Sequence, residues 1–480
     1  MMTFPQLFTP TPSPPLPRRL LSDLRLDGLL SENALSLLCR PCGEDEIRRR
    51  QQVFACMEVQ TVCRAMTECL SALEALESAC LRLNASAPTL TLYCLHARRL
   101  SAYLNACELL ARTGTWGELF AETSTYFVHP ETEQALNTLR EDLRRLEELL
   151  LPLRRGLLAA GGGYRLFPDD GAISEEEELT ACITVLGLTP PNLHPAAVPL
   201  PPSLSEAILA LCPEATAEIE EILARQASTD FLAPAGCIPA LKFFLEIHAL
   251  TARAEAKGIP HTLPAIAPKP EYRADALFDI SLLADDHPIV PNDARFTEKE
   301  PFFFLIGANG GGKTTYLRAM GINLLLFGAG CPIFARSARI YPFPRMDAHF
   351  PADERFTGTG RLEDEARRTD TMLAECGGMT AFLLFNETFS GADGEIGFAH
   401  LKRLAADLTA AGHFGLFVTH FHHVTDTSYP ILTARITEGN CRTFRIERFR
   451  GAAASHAADI LRRHGLDADS LEKRRGTHAY

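Results

Sequence analysis

Nine consecutive residues, Gly307-Ala308-Asn309-Gly310-Gly311-Gly312-Lys313-Thr314-Thr315, fit the pattern G-x-x-x-x-G-K-[ST] at every defined position. Glycines there let backbone N–H groups turn inward toward the β/γ-phosphates of a nucleotide. A helix N-terminus behind them adds partial positive charge, Lys313 adds a full one, and the Thr314 hydroxyl is placed to hold Mg²⁺. The flanks agree. Phe302-Phe303-Phe304-Leu305-Ile306 reads as a fully buried strand, and Tyr316-Leu317-Arg318-Ala319-Met320 opens an apolar helix.

A phosphate cradle also requires an acidic or polar strand end to hold the metal's water shell and to activate the attacking water. The run Ala381-Phe382-Leu383-Leu384-Phe385 ends in Asn386-Glu387. Glu387 is the expected general base or water-orienting group. Asn386 stands where an Asp is usual; its amide oxygen accepts a hydrogen bond from a metal-bound water but brings no charge, so weak metal affinity and slow turnover are expected. The next apolar run, Leu416-Phe417-Val418, ends in Thr419-His420, where the imidazole is placed to sense the γ-phosphate. His420, His422 and His423 lack a carboxylate or Cys at metal-ligand spacing.

The elements that hold these residues alternate. From residue 265 onward short apolar runs (Ala276-Leu277-Phe278-Asp279-Ile280, Phe302–Ile306, 381–385, 415–418) alternate with helical patterns, which predicts a βαβ domain with a mostly parallel sheet. Residues 1–264 read as a helical body. Within it Leu136, Leu139, Leu143, Leu146 and Leu150 recur in steps of three and four, a coiled-coil-like seam. Six prolines between 190 and 202 mark a loop, and Glu175 to Glu178 an acidic helix start. Arg48-Arg49-Arg50-Gln51-Gln52 reads as a solvated helix face or, alternatively, a phosphate contact. The expected fold is therefore a multi-domain chain, an α-helical core and lever body followed by an α/β P-loop NTPase domain. Its expected divisions are 1–130 (core, first part), 131–203 (lever-like helices and Pro-rich loop), 204–264 (core, second part) and 265–480 (nucleotide domain with a C-terminal helical dimerisation segment).

At 480 residues, with 46% hydrophobic and 22% charged content, the chain is ordinary for a globular protein of several domains. A net charge of −13 excludes a surface that is basic all over, so nucleic acid would have to be held by a local patch or a groove between subunits. Fourteen scattered cysteines, with Cys39-Arg40-Pro41-Cys42 the single C-x-x-C, point to reduced buried thiols. The proline-rich N-terminus lacks a signal-peptide core, and the longest apolar stretch, residues 319–334, is interrupted by Asn323 and four glycines or prolines. A cytoplasmic protein without a membrane span is expected.

The order of these parts resembles the MutS family of DNA mismatch-repair ATPases. His287-Pro288-Ile289-Val290-Pro291-Asn292-Asp293 is similar to the family's lead-in to its nucleotide motif, and 307–315 is similar to G-P-N-M-G-G-K-S-T with Asn309 kept. Thr357-Gly358, Leu362 and Glu365 fall in the place of S-G-x-S-T-F-x-x-E. Asn386-Glu387 with Ser390-Gly391 resembles the D-E and its loop, Thr419-His420 the T-H, and Gly451 to Ser455 with Gly465-Leu466 the C-terminal helical segment. Glu46 to Gln51 and residues 244–257 look like the first and last parts of the family's core. The resemblance implies an ABC-like head binding ATP and Mg²⁺, with Gly307, Ala308, Asn309, Gly310, Gly311, Gly312, Lys313, Thr314 and Thr315 around the nucleotide. Thr314 and, through water, Asn386 would serve the metal, and Lys313, Glu387 and His420 would act in hydrolysis. It also implies a homodimer that closes two ATP sites between subunits and moves a distant clamp on DNA, mismatched or branched. Departures stand beside it: Gly360 and Arg361 replace the Ser-Thr that reaches a partner's nucleotide, Ile289 stands near the aromatic that often stacks on adenine, and no F-x-E wedge appears in a suitable setting.

Two other readings are compatible with these residues. One is a slow or inactive ATPase serving as a nucleotide-gated scaffold for a protein or RNA partner, favoured by Asn386 and the acidic balance. The other is a P-loop phosphotransferase, for which no acceptor pocket or lid is visible in the sequence.

Overall fold

A computed structural model describes residues 4–5, 7–8, 14–83, 89–153, 155–160, 163–168, 202–285, 288–350, 361–390, 394–436 and 442–449. The Pro-rich segment, the acidic run at 175–178, His287, Thr357 to Gly360, Gly391 and the C-terminal segment from 450 lie outside the described residues. By internal contacts the chain divides into two compact units, Met1–Thr9 with Cys56–Lys242, and Pro10–Ala55 with Phe243–Tyr480.

The first unit is helical. Its long helices are α4 (Gln60–Leu81) and α5 (Thr89–Ala111), followed by α6 (Glu118–Val128) and α7 (Pro130–Leu150); α1 (Arg19–Asp23), α2 (Glu32–Leu38) and all but the end of α3 (Glu44–Met57) fall in the second unit. On α7 the buried positions are Leu136, Leu139, Asp142, Leu146, Leu149 and Leu150, whereas Leu143 is half exposed. This corrects the seam read from sequence. A straight helix with 3.6 residues per turn drifts off a 3.5-residue repeat, which brings Asp142 rather than Leu143 inward. The carboxylate there is satisfied by Arg225 at 2.7 Å and Gln226 at 3.3 Å. These partners come from the end of α9 (Pro213–Arg225) and the turn after it; α8 (Pro202–Ala210) lies just upstream. Strands β1 (Arg155–Ala160) and β2 (Gly163–Pro168) form an antiparallel hairpin that the sequence reading did not anticipate.

The second unit is built on two sheets. The larger has the order β12-β11-β6-β10-β9-β8, comprising β6 (Phe302–Ile306), β8 (Arg345–His349), β9 (Ala381–Asn386), β10 (Phe414–Val418), β11 (Ile431–Ile436) and β12 (Arg442–Arg448). All its neighbours are parallel except β11 and β12. The smaller has the order β3-β7-β4-β5, from β3 (Ala265–Ile266), β4 (Glu271–Leu277), β5 (Asn292–Thr297) and β7 (Ser337–Ile340).

Alternation along the strands decides what covers each face. Phe302, Phe304, Leu383, Phe385 and Phe417 look toward α12 (Arg361–Glu375) and α13 (Gly394–Ala410), packing with Met372, Leu401 and Leu404. On the other face Phe303 and Phe382 meet Phe296 of the smaller sheet, with ring centroids 4.9 and 5.3 Å apart.

Residues 14–55 join this second unit rather than the helical body in which the sequence reading placed them. Helix α11 (Lys313–Gly328) is buried nearly all round, from Tyr316 to Phe327, and such a helix must be covered on every side. The leucine-rich N-terminal segment supplies part of that cover. A Cβ at Gly321 would stand 2.6 Å from Leu24 Cδ2 and 2.9 Å from Leu384 Cδ1, so glycine permits the close approach. Polar ties reinforce it: Arg19 to Asp347 at 2.6 Å, Arg368 to Asp23 at 3.1 Å, and Cys42 N–H to Gly328 O at 2.7 Å. Arg50 is neither solvated nor a phosphate ligand; it is buried, donating to Glu46 at 2.8 Å and to Ala329 O at 3.2 Å.

The described cysteines are free thiols, and both members of the C-x-x-C are buried, with burial pushing the Cys42 thiol up to about 11. Among the described residues, 233–255, which include α10 (Ile238–Glu255), are long and apolar enough to cross a membrane. On α10, Phe243, Phe244, Ile247 and Leu250 are buried against protein, as in a core helix.

Candidate nucleotide site

The glycine loop follows β6 directly. Gly307, Gly310 and Gly312 have φ of 129°, 68° and 92°, in the region that side chains with a Cβ rarely adopt. Gly312 is the N-cap of α11, so the unpaired N–H groups of its first turn face the loop. Helix α11 is tied to the smaller sheet through Tyr316, whose hydroxyl donates to Asp293 O at 2.9 Å.

Lys313 is buried and donates from Nζ to the loop carbonyls of Gly307 at 2.8 Å and Ala308 at 3.2 Å. Burial lowers its pKa, opposed by the negative charge of Glu387. An ammonium resting on its own loop's carbonyls is, among the described residues, a charge without a carboxylate partner at hydrogen-bond distance, free to exchange weak acceptors for phosphate oxygens. Thr314 Oγ1 donates to Asn386 Oδ1 at 3.1 Å. That bond fixes the Asn386 amide oxygen beside the Thr314 hydroxyl. Two neutral hard oxygens suit Mg²⁺, provided that nucleotide phosphates bring the negative charge. Thr315 is half-buried next to them, while Asn309 and Gly310 form the exposed tip.

Parallel pairing brings the remaining strand ends to this edge. β10 lies between β6 and β9, with Val418 in register with Asn386, and Thr419 N–H donates to Leu305 O at 3.0 Å. His420 Nε2 is 2.6 Å from Glu387 Oε1. The hydrogen bond to His420, with its charge and that of Lys313, holds the Glu387 carboxyl below the usual range, against the raising effect of burial. Glu387 is therefore an anion at neutral pH, the form that can accept a proton. Among the described residues no group of three or more His, Cys, Asp or Glu is arranged to hold a metal.

The backbone after β9 is unusual. Glu387 and Phe389 have φ of 53° and 66°, a left-handed conformation costing non-glycine residues about 1–2 kcal/mol each. Glu387 N–H donates to Val418 O at 2.8 Å, Thr388 Oγ1 lies 2.8 Å from His349 Nδ1, and Phe389 N–H donates to Glu365 Oε2 at 2.6 Å.

Several residues at the site escaped the sequence reading. Arg442 on β12 lies against Gly310, its Nη1 2.6 Å from where a Cβ would sit, and Phe444 packs beside Gly312. Asn292 fixes this strand by donating to Phe444 O at 3.0 Å and accepting from Ile446 N–H at 2.7 Å. No local signal marks Arg442 or Phe444. Asn292 lies in the lead-in that carried the family resemblance.

Comparison with known proteins matches residues 303–444 to the family described as MutS domain V. Similar proteins include DNA mismatch repair protein msh-2 of Neurospora crassa, 28% identical over 173 residues, 35% of this chain and 18% of that protein. Endonuclease MutS2 of Streptococcus suis is 27% identical over 280 residues, 55% of this chain and 34% of its own length. DNA mismatch repair protein MutS of Chlorobium limicola is 26% identical over 202 residues, 38% of this chain and 22% of its own length. The chain thus spans about a third or less of each of these relatives. The matched segment holds the glycine loop, the Asn386-Glu387 turn and the Thr419-His420 strand end, and over that segment the chain is similar to MutS-family proteins.

Proposed function

We propose that this protein binds and hydrolyses ATP and acts as a homodimeric, nucleotide-switched clamp on DNA in mismatch repair or related repair or recombination, in the cytoplasm. The observation that carries the reading is the convergence of Lys313, Thr314–Asn386 and Glu387–His420 on the C-terminal edge of one parallel sheet, where ligands of open α/β sheets sit. Names of the relatives, two of them mismatch-repair proteins, supply the DNA context.

In this reading the loop N–H groups and the start of α11 cradle the β-phosphate, and Lys313 moves from the Gly307 and Ala308 carbonyls to the β/γ-phosphate oxygens. The Thr314 hydroxyl and, through water, Asn386 would hold Mg²⁺, which would supply charge neutralisation of the triphosphate. Glu387 orients a water for in-line attack and takes its proton as the bond to the γ-phosphorus forms and that to the β-γ bridging oxygen breaks. His420, bonded to Glu387, reports the state of the γ-phosphate to the strand end. ATP held between two copies then draws the heads together and moves the helical bodies.

A second reading has a specific observation in its favour. Asn386 brings no charge to the metal position, which favours a slow nucleotide-gated scaffold for a protein or RNA partner. Lys313→Ala tests the nucleotide site that both readings share: it is expected to abolish binding of a fluorescent ATP analogue while circular dichroism stays unchanged. Unaltered ATP binding or turnover would sink the site assignment. Binding of the wild type to branched duplex DNA should weaken steeply with salt as counterions are released, whereas a scaffold for proteins shows no such slope.

A further inference from the structure

The turn that carries Glu387 is held by a residue from outside its own strand and loop. Two left-handed residues in three, Glu387 and Phe389, make an elbow that the chain does not favour by itself. Its central hydroxyl, Thr388 Oγ1, meets His349 at the end of β8, and its far end is fixed by the Glu365 carboxylate, which accepts the Phe389 N–H at 2.6 Å. Glu365 is 7% exposed and stands in the second turn of α12. Phe389 is 2% exposed, its ring 5.5 Å from that of His400 on α13, so the elbow cannot slide without disturbing the core.

Resting on the ATPase reading above, we propose that Glu365 is a positioning residue for hydrolysis: by gripping the Phe389 N–H it sets the elbow that aims Glu387 and its His420 partner at the attacking water. Glu365 touches neither nucleotide nor water in this role. It acts through two residues of backbone. A purely structural role is separable, because α12 is docked by other means. Met372 and Cys376 are buried in the core beneath it and Leu362 packs against that core. Arg368 donates to Phe350 O at 3.1 Å, Ala348 O at 3.2 Å and Asp23 at 3.1 Å. Loss of one acceptor therefore loosens the elbow and leaves the helix in place. The geometry predicts a defect in the chemical step, since a base displaced by about 1 Å loses roughly 100-fold in rate while ground-state binding is spared.

The test uses the full chain with three substitutions, Glu365→Ala, Glu365→Gln and Glu387→Gln. Single-turnover ATP hydrolysis, the Kd of a fluorescent ATP analogue and the thermal midpoint are measured for each. Glu365→Ala is expected to slow the single turnover about 100-fold, approaching Glu387→Gln, with Kd changed less than about threefold. Glu365→Gln keeps an amide oxygen where the carboxylate oxygen was, and is expected to recover to within about tenfold of wild type. Amide exchange at residues 387–390 should quicken in Glu365→Ala and not in Glu365→Gln. A wild-type rate in Glu365→Ala, or a Kd that worsens as much as the rate falls, overturns the positioning role while leaving the ATPase reading intact. If Glu365→Ala fails to fold, Glu365→Gln decides: a rate as low as that of Glu387→Gln overturns the proposal. A wild type that turns over no ATP brings down both readings, and that outcome is recognised by the Lys313→Ala comparison alone.

Discussion

Asn386→Asp tests the proposed Mg²⁺ position beside Thr314 by adding a negative charge there. The amide oxygen is fixed 3.1 Å from Thr314 Oγ1, so a carboxylate oxygen can replace it with no change of shape. A unit negative charge about 4 Å from a divalent cation, across one water, gains 332 × 2/(80 × 4), or about 2 kcal/mol, even at the dielectric constant of bulk water. That corresponds to about 30-fold in Mg²⁺ affinity. Partial burial of Asn386 lowers the effective dielectric and strengthens the attraction, while desolvation of the new carboxylate works against it. The bulk-water value is thus a fair working figure. The assay titrates Mg²⁺ at fixed ATP and follows both nucleotide binding and hydrolysis. The midpoint should fall by about 30-fold in the variant, and turnover at limiting Mg²⁺ should rise. An unchanged or higher midpoint in a protein with wild-type thermal stability would refute the assignment of Asn386 to the metal's shell.

Two further substitutions test the scaffold beneath the site. A Cβ at Gly415 would lie 2.2 Å from Leu383 O, a backbone atom of the neighbouring strand, so Gly415→Ala must prise β10 from β9. The expected cost is about 3 kcal/mol or more, lowering the melting midpoint by about 6–12 °C; a midpoint within 2 °C of wild type would contradict the pairing. Asp279 is buried, with Oδ1 accepting Ser281 N–H at 2.9 Å and Oδ2 without a hydrogen-bond partner among the described residues, and burial pushes its pKa up to about 6. The folded chain then holds this proton more tightly than the unfolded one. Its contribution to stability is full below about pH 4 and is lost as pH rises through 6, for a total of about 3 kcal/mol. Asp279→Asn keeps the Ser281 acceptor and should remove that slope. Urea midpoints at pH 4.5 and pH 8 measure it, and parallel slopes for variant and wild type would show that Asp279 does not titrate in this window.

Much of the site could be read locally because its chemistry depends on backbone patterns that are local. Residues 302–317 specify strand, left-handed glycines and helix start within one stretch, and the structure has them as β6, the loop and α11. Asn386-Glu387 and Thr419-His420 follow unbroken apolar runs, which had to be buried parallel strands, so their place at strand ends was legible too. The smaller sheet was read less well. The run 276–280 looked like a strand, yet β4 is Glu271–Leu277, whose outward Arg273 and Asp275 dilute the apolar signal. Ala276, at φ 54°, sits in a break in the pairing with β5, which resumes at Leu277 opposite Asn292.

By itself the sequence determined that a glycine loop joins a buried strand to a helix, where that strand and helix lie, and which two later strand ends carry polar groups. Only the tertiary structure decided that β10 lies between β6 and β9, bringing Asn386 to Thr314 across 72 positions and His420 to Glu387 across 33. It also decided that residues 14–55 cover α11 and that Glu365 reaches the Phe389 N–H. The division has one physical cause. Periodicity and left-handed glycines are set by each residue's own sterics and solvation, whereas strand order and side-chain partners depend on which buried faces meet once the chain has closed its long loops.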